Sequence, residues 1–165
     1  MKYLMKGALL PIVFLVLAVA MAGPSYAAGT VVNVSLWDKG GDAMNAKDLG
    51  FAMGGDMSKA TMGIAVTPDT VKAGEVTFEV LNSSKDTIHE MIVAKIKDMN
   101  QPLPYIDDEN EVNEDKYGDL GEVSELDPGK SGALRLDLEP GKYILYCNVP
   151  GHYMAGMWTV FTVEP

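Results

Sequence analysis

The chain of 165 residues is poor in the side chains on which most catalytic and metal chemistry draws. It has one cysteine, Cys147, and two histidines, His89 and His152. A single thiol excludes an intrachain disulfide, a CxxC redox pair, a cysteine-rich zinc site and any centre that needs two thiolates. Two imidazoles exclude centres built from many histidines. Positive charge is also scarce: 13 Lys and Arg stand against 23 Asp and Glu, for a net charge of −10. A chain of that sign repels phosphate, which argues against nucleic acid as a partner. No amphipathic helical periodicity, internal repeat or interdomain linker stands out. Whatever chemistry the chain performs must use one thiol and two rings.

The first 27 residues read as an address. Lys2 and Lys6 precede an uncharged run over 7–22, and Ser25, Tyr26 and Ala27 offer the small-x-small exit that a signal peptidase reads. The run of about 16 residues falls just short of the roughly 17–25 that span a bilayer. The expectation is therefore a signal peptide over 1–27, with a retained membrane anchor as the alternative. Either way, residues 28–165 form one domain that is periplasmic or otherwise exported. Cleavage removes Lys2 and Lys6 and leaves 11 basic residues against 23 acidic ones, a charge of −12.

Residues 28–165 predict an all-β domain. Short β-branched or alternating runs occur at 30–37, 61–66, 76–80, 88–96, 131–138, 143–147 and 158–163. Pro-Gly turns at Pro128-Gly129 and Pro140-Gly141 separate the later ones. Some seven to eight such strands indicate a sandwich or barrel. Helix is expected only in short pieces, at 42–49 or 57–61. Two stretches interrupt the pattern. Residues 39–63 hold six glycines and four methionines, Met44, Met53, Met57 and Met62. Methionines most often fill irregular gaps in a core, although a cluster of them can hold Cu(I). Residues 107–125 hold nine acidic residues and one lysine. They lack the central glycine of a calcium loop and read as a solvated acidic surface loop.

The C-terminal region concentrates the chemistry. A strand ends at Cys147, a Pro150-Gly151 turn follows, then His152, and the last strand begins after Met157. Thiolate, imidazole and thioether thus sit on one tight loop with the spacing Cys-x4-His-x4-Met. Two histidines, one cysteine and a distant axial methionine are the ligand set of an electron-transfer copper site. The fourth ligand must be a second imidazole from elsewhere, and His89 is the sole candidate. It starts a strand after the turn at 82–86, and strand ends gather at one pole of a sandwich.

On these residues the chain resembles the cupredoxin family of small type 1 blue copper proteins. The ligand loop within 141–163 resembles that family's loop, and His89-Glu90-Met91 is similar to its upstream histidine segment. The resemblance implies a Greek-key β-sandwich, one copper ion held by His89, Cys147, His152 and Met157, and one-electron transfer between larger redox proteins. Glu90 departs from the family, in which the residue after the upstream histidine is often Asn or Ser and ties the two ligand segments together. By alternation Glu90 points away from His89, and Asn148 is a candidate partner near the thiolate. No histidine remains for a catalytic second metal, so an enzyme is not expected. The expected partners are a c-type cytochrome or a terminal oxidase domain, with a membrane involved only if the N-terminal segment is retained. They would meet an apolar patch of Pro150, Tyr153, Met154 and Ala155 around His152, steered by the acidic stretch. The alternatives are a periplasmic copper chaperone or storage protein that uses the methionine-rich stretch, and a module attached to an oxidase.

Overall fold

The structure is a computed structural model that describes residues 29–40 and 47–165. The expected signal peptide over 1–27, Met44 and most of the helix expected at 42–49 lie outside them. No helix among the described residues is long and apolar enough to cross a membrane.

Two sheets pack face to face. The four-stranded sheet has the order β2 (Met62–Thr67), β1 (Thr30–Asp38), β4 (Gly74–Asn82), β9 (Ser131–Leu138). The five-stranded sheet has the order β3 (Thr70–Lys72), β11 (Trp158–Glu164), β10 (Gly141–Tyr146), β5 (His89–Lys95), β8 (Gly121–Leu126). Most neighbours are antiparallel, but β1 runs parallel to β4 and β3 parallel to β11. This is the all-β sandwich that the strand pattern predicts and the family resemblance implies. Its core is built by period-two burial: Val32, Val34 and Leu36 of β1 and Val76, Phe78 and Val80 of β4 face Met91, Val93, Tyr143, Leu145 and Phe161 of the other sheet. Phe78 and Phe161 meet edge to face across the sheets, with centroids 5.2 Å apart. Such a pair adds roughly 0.5–1.5 kcal/mol to its area burial.

The five-stranded sheet is buried on both faces. Ile92, Ala94, Ile144 and Tyr146 turn to its outer side and pack with Phe51, Leu103, Val112 and Tyr153. That is why β5 and β10 read as nearly unbroken apolar runs. The outer cover comes from the two stretches that interrupt the strand pattern. The methionine-rich stretch supplies Leu49 and Phe51 and a short 3-10 turn, Met57–Lys59, within the expected 57–61. Met62 fills the core as expected, whereas Met53 and Met57 are exposed. The acidic stretch is more than a solvated loop. Its residues form β7 (Glu111–Val112), which pairs with β6 (Tyr105–Ile106) just before the stretch, a one-turn helix α1 (Glu114–Tyr117), and most of β8, which completes the sheet beside β5. Val112, and Leu103 just before the stretch, pack in the outer cluster against the five-stranded sheet, while Val123 of β8 packs in the core between the sheets.

Candidate metal centre

Strand pairing brings the sequence-predicted residues to one pole. β10 pairs with β5 and β11, with Tyr146 opposite Ile92 and Trp158. The residue after β10, Cys147, therefore sits beside the start of β5 and the start of β11. The loop between β10 and β11 is closed by its own backbone. The N–H of His152 donates to the Val149 carbonyl (2.9 Å), that of Met157 to the His152 carbonyl (3.1 Å), and that of Cys147 to the Met157 carbonyl (3.1 Å). Gly156 adopts φ +99°, and a Cβ there would lie 2.8 Å from Cβ of Ala60, so both conformation and space require glycine.

His89 is placed by a built turn. The Asn82 carboxamide accepts from the Ser84 N–H (3.0 Å) and donates to the carbonyls of Thr87 (2.8 Å) and Leu126 (2.7 Å). The Ser84 hydroxyl accepts from the Thr87 N–H (3.0 Å). The turn thus ends with His89 fixed opposite Leu126 of β8.

The donor atoms of His89, Cys147 and His152 all lie within 4.8 Å of one another, and all three residues are buried. Nδ1 of His89 is 3.2 Å from Nδ1 of His152, which is 3.4 Å from Sγ of Cys147. Met157 is fully buried in the same core cluster as Cys147, and its backbone bonds to both loop ligands. Burial lowers the pKa of both imidazoles. For His152 it acts together with the neighbouring His89 and brings the value to about 4. For His89, burial outweighs the opposing effect of Asp38. Both rings are therefore neutral at pH 7 and keep a lone pair for a metal. Burial pushes the Cys147 thiol up to about 12, so the free thiol holds its proton until a cation displaces it. One soft sulfur, two imidazole nitrogens and an adjacent thioether fit one type 1 copper ion.

Around this set lie residues whose roles the sequence left open. The Glu90 N–H points at Cys147 Sγ (3.4 Å), and its carboxylate accepts from the Asn148 N–H (2.8 Å). Glu90 therefore does tie the two ligand segments together. Its carboxyl is raised to about 7, chiefly by burial and also by the charges of Glu122, Glu114 and Glu125. The Asn148 side chain points outward. It accepts from the Val112 N–H (2.6 Å) and donates to the Val112 carbonyl (3.0 Å) and to Glu114 Oε1 (2.6 Å). Asn148 thus fastens the ligand loop to the acidic excursion, and does not bond to the sulfur through its amide.

Sequence reasoning missed Asp38. Its Oδ2 lies 2.9 Å from His89 Nε2, on the far side of the ring from the other ligands. No local signal marks it, because the β1–β4 pairing brings it there from 51 residues away. Burial pushes its carboxyl up, but hydrogen bonds from Ser84, His89 and Gly40 outweigh this and hold it below its usual value.

The apolar patch expected around His152 is smaller than the four residues named for it. Pro150 is exposed and Met154 half-buried, but Tyr153 and Ala155 are buried. The Tyr153 ring turns inward, stacked on Tyr105 at 6.0 Å and edge-on to Tyr146 at 6.1 Å.

The sequence matches the profile of the copper binding proteins of the plastocyanin/azurin family over residues 52–164. No protein of curated function matches it. Several solved structures share the fold. Auracyanin from the photosynthetic bacterium Roseiflexus castenholzii is 21 % identical with a TM-score of 0.52, covering 85 % of this chain and 100 % of its own. Auracyanin B is 20 % identical at TM-score 0.53, covering 85 % and 92 %. Rusticyanin from Thiobacillus ferrooxidans is 16 % identical at TM-score 0.53, covering 84 % and 80 %.

Proposed function

The chain belongs to the plastocyanin/azurin family of copper-binding proteins, and from that premise we propose that it carries single electrons between redox partners outside the cytoplasm. Its ligands are His89, Cys147, His152 and Met157. The observation that carries this reading is the convergence of two imidazole nitrogens and one thiol sulfur within 4.8 Å in a buried pocket. Bound copper supplies the Cu(II)/Cu(I) couple and the intense thiolate charge-transfer colour. The protein's part is to hold the donors still. Cys147 and Met157 are fixed by the loop's backbone bonds, and His89 by its turn. Donors held by close packing have little freedom to rearrange when the charge changes by one. That favours fast electron exchange.

The centre uses both histidines of the chain. None is left to build the extra metal site that a copper oxidase needs, so we assign a carrier and not an enzyme. A basic electron partner, such as a c-type cytochrome or an oxidase domain, suits the charge: Asp107, Asp108, Glu109, Asp115 and Glu122 are exposed. Three acidic residues of the same excursion, Glu122, Glu114 and Glu125, act on Glu90 beside the ligands. The acidic face therefore borders the metal pole. The basic, apolar, small-residue pattern of residues 1–27 supports a periplasmic or otherwise exported location, with a retained anchor as the alternative. Storage or delivery of Cu(I) is the second reading, favoured by the exposed thioethers of Met53 and Met57.

The deciding experiment is a titration of the copper-loaded protein with a one-electron reductant. A carrier shows an intense visible band that bleaches with one equivalent per copper and returns on oxidation, and Cys147→Ala lacks it. A colourless protein that binds Cu(I) and loses it on substitution of Met53 and Met57 supports storage and overturns the carrier reading.

A further inference from the structure

Among the buried ionisable groups, Asp38 has no place in the function as stated so far. Its side chain is 2 % exposed at the end of β1. Isolated buried carboxylates are costly, and those that persist are paired and fully hydrogen-bonded. Asp38 is so placed: Oδ1 accepts from the Gly40 N–H at 2.7 Å, Oδ2 faces His89 Nε2 at 2.9 Å, and the Ser84 side chain supplies a further bond. Ser84 also belongs to the turn that carries His89, so the turn and the carboxylate are one assembly.

We propose that Asp38 is a positioning residue for the metal centre, which fixes His89 in the tautomer that offers Nδ1 to copper and biases the bound ion toward Cu(II). The first half follows from donor and acceptor counting. A carboxylate is only an acceptor, so Nε2 of His89 must carry the hydrogen, and the lone pair of the neutral ring falls on Nδ1. That is the atom 3.2 Å from Nδ1 of His152. The second half follows from charge. A full negative charge one imidazole away from the metal, shielded from water, stabilises the more positive oxidation state and raises the basicity of the ligating nitrogen. A neutral acceptor at the same point would give the tautomer without the charge.

The inference rests on His89 being a ligand, as the proposed function holds. Its test uses the whole mature protein and three readouts. Nitrogen-15 NMR of the metal-free wild type should show His89 protonated at Nε2 in slow exchange with water; protonation at Nδ1 would overturn the positioning claim without any substitution. Asp38→Asn keeps the volume and an acceptor oxygen but removes the charge. It should keep the visible band while the ratio of Cu(II) to Cu(I) affinity falls about tenfold, which is a rise in potential of about 59 mV. Asp38→Ala removes both and should weaken Cu(II) binding by a further ~10–100-fold. Where the alanine variant does not fold, the asparagine variant and the NMR signal decide alone. A wild type that forms no coloured site refutes the electron-carrier reading itself. A coloured wild type whose potential is unchanged by Asp38→Asn refutes only the charge role of Asp38.

Discussion

Removing the Asn148 side chain should loosen the acidic excursion while leaving the copper site coloured. In the β6–β7 pair the Asn113 N–H bonds to the Pro104 carbonyl (2.8 Å), which leaves the N–H and C=O of Val112 pointing away from the partner strand. The Asn148 carboxamide takes both, as a neighbouring peptide unit would. Val112 is 2 % and Asn148 6 % exposed, so Asn148→Ala strands two backbone groups with little access to water. Each costs about 1–3 kcal/mol when unpaired. Some relaxation of a short strand pair toward solvent is expected, which places the net loss at about 2–4 kcal/mol, or a fall in Tm of about 5–15 °C for a domain of this size. Glu114→Gln is the control. It keeps an acceptor for Asn148 on a half-exposed side chain and should cost less than about 1 kcal/mol. The ligands should be spared, since the Asn148 backbone N–H still reaches Glu90 and the Cys147 N–H still reaches Met157. Denaturant unfolding of the metal-free protein gives the energy, and hydrogen exchange over 103–117 shows where protection is lost. A loss below about 0.5 kcal/mol, or an equal loss in Glu114→Gln, would refute the view that Asn148 clamps this excursion.

Three further outcomes are expected. Met157→Leu should keep a coloured site and raise its potential, because a thioether donor stabilises Cu(II) slightly and leucine offers none; a colourless variant with full copper content would contradict this. The copper-free protein should lose stability as pH rises above about 10. Burial raises the folded-state pKa of Tyr105 and Tyr117, so the unfolded chain gives up these protons first and the stability present below that pH is lost. Denaturation midpoints followed from pH 9 to 11 should fall less steeply in Tyr105→Phe/Tyr117→Phe, and an unchanged slope would refute it. Electron transfer with a basic partner should slow with rising salt, since screening shortens the field to about 8 Å at physiological ionic strength. Neutralising Asp107, Asp108, Glu109 and Glu111 should lower both the rate and its salt dependence with an unchanged copper spectrum, and a flat wild-type salt profile would remove the steering claim.

What could be read in advance was whatever depends on neighbours in sequence. β1, β4 and β9 alternate, and β10 follows a Pro-Gly turn, so side-chain periodicity and turn chemistry locate them. Cys147, His152 and Met157 share one loop, and His89 follows by elimination from a chain with only two imidazoles. β8 was hidden because it is an edge strand: in Gly-Glu-Val-Ser-Glu-Leu only Val123 is buried, and its charged neighbours are what an exposed edge demands. β3, β6, β7 and α1 span two to four residues each, too few for any period to show. The contacts of Glu90 and Asn148 were hidden for another reason. Their partners lie 58 and 36 residues away in the chain, and pairing across the sheet is what unites them.

The two outer stretches take a different meaning in this light. A sandwich needs only one face of each sheet covered, yet here the sheet that carries Cys147 and His89 is covered on both. The segment around Leu49 bonds to the ligand loop through the Leu49 N–H to Met154 (3.0 Å) and receives the Trp158 indole N–H on its carbonyl. The acidic excursion also bonds to it, through Asn148 and through the Gly151 N–H to Asn110 (2.7 Å). The ligand loop is thus held by two buttresses and is not a free hairpin end. This arrangement answers a conflict in the design of such a centre. Donors must stay fixed as the charge changes, which requires packing, while a partner must still come close, which requires surface. The buttresses satisfy the first by burying Tyr153 and Ala155. On the proposed carrier reading, the second would fall to Pro150, Met154 and the acidic rim, where a small contact area would suit a short-lived encounter.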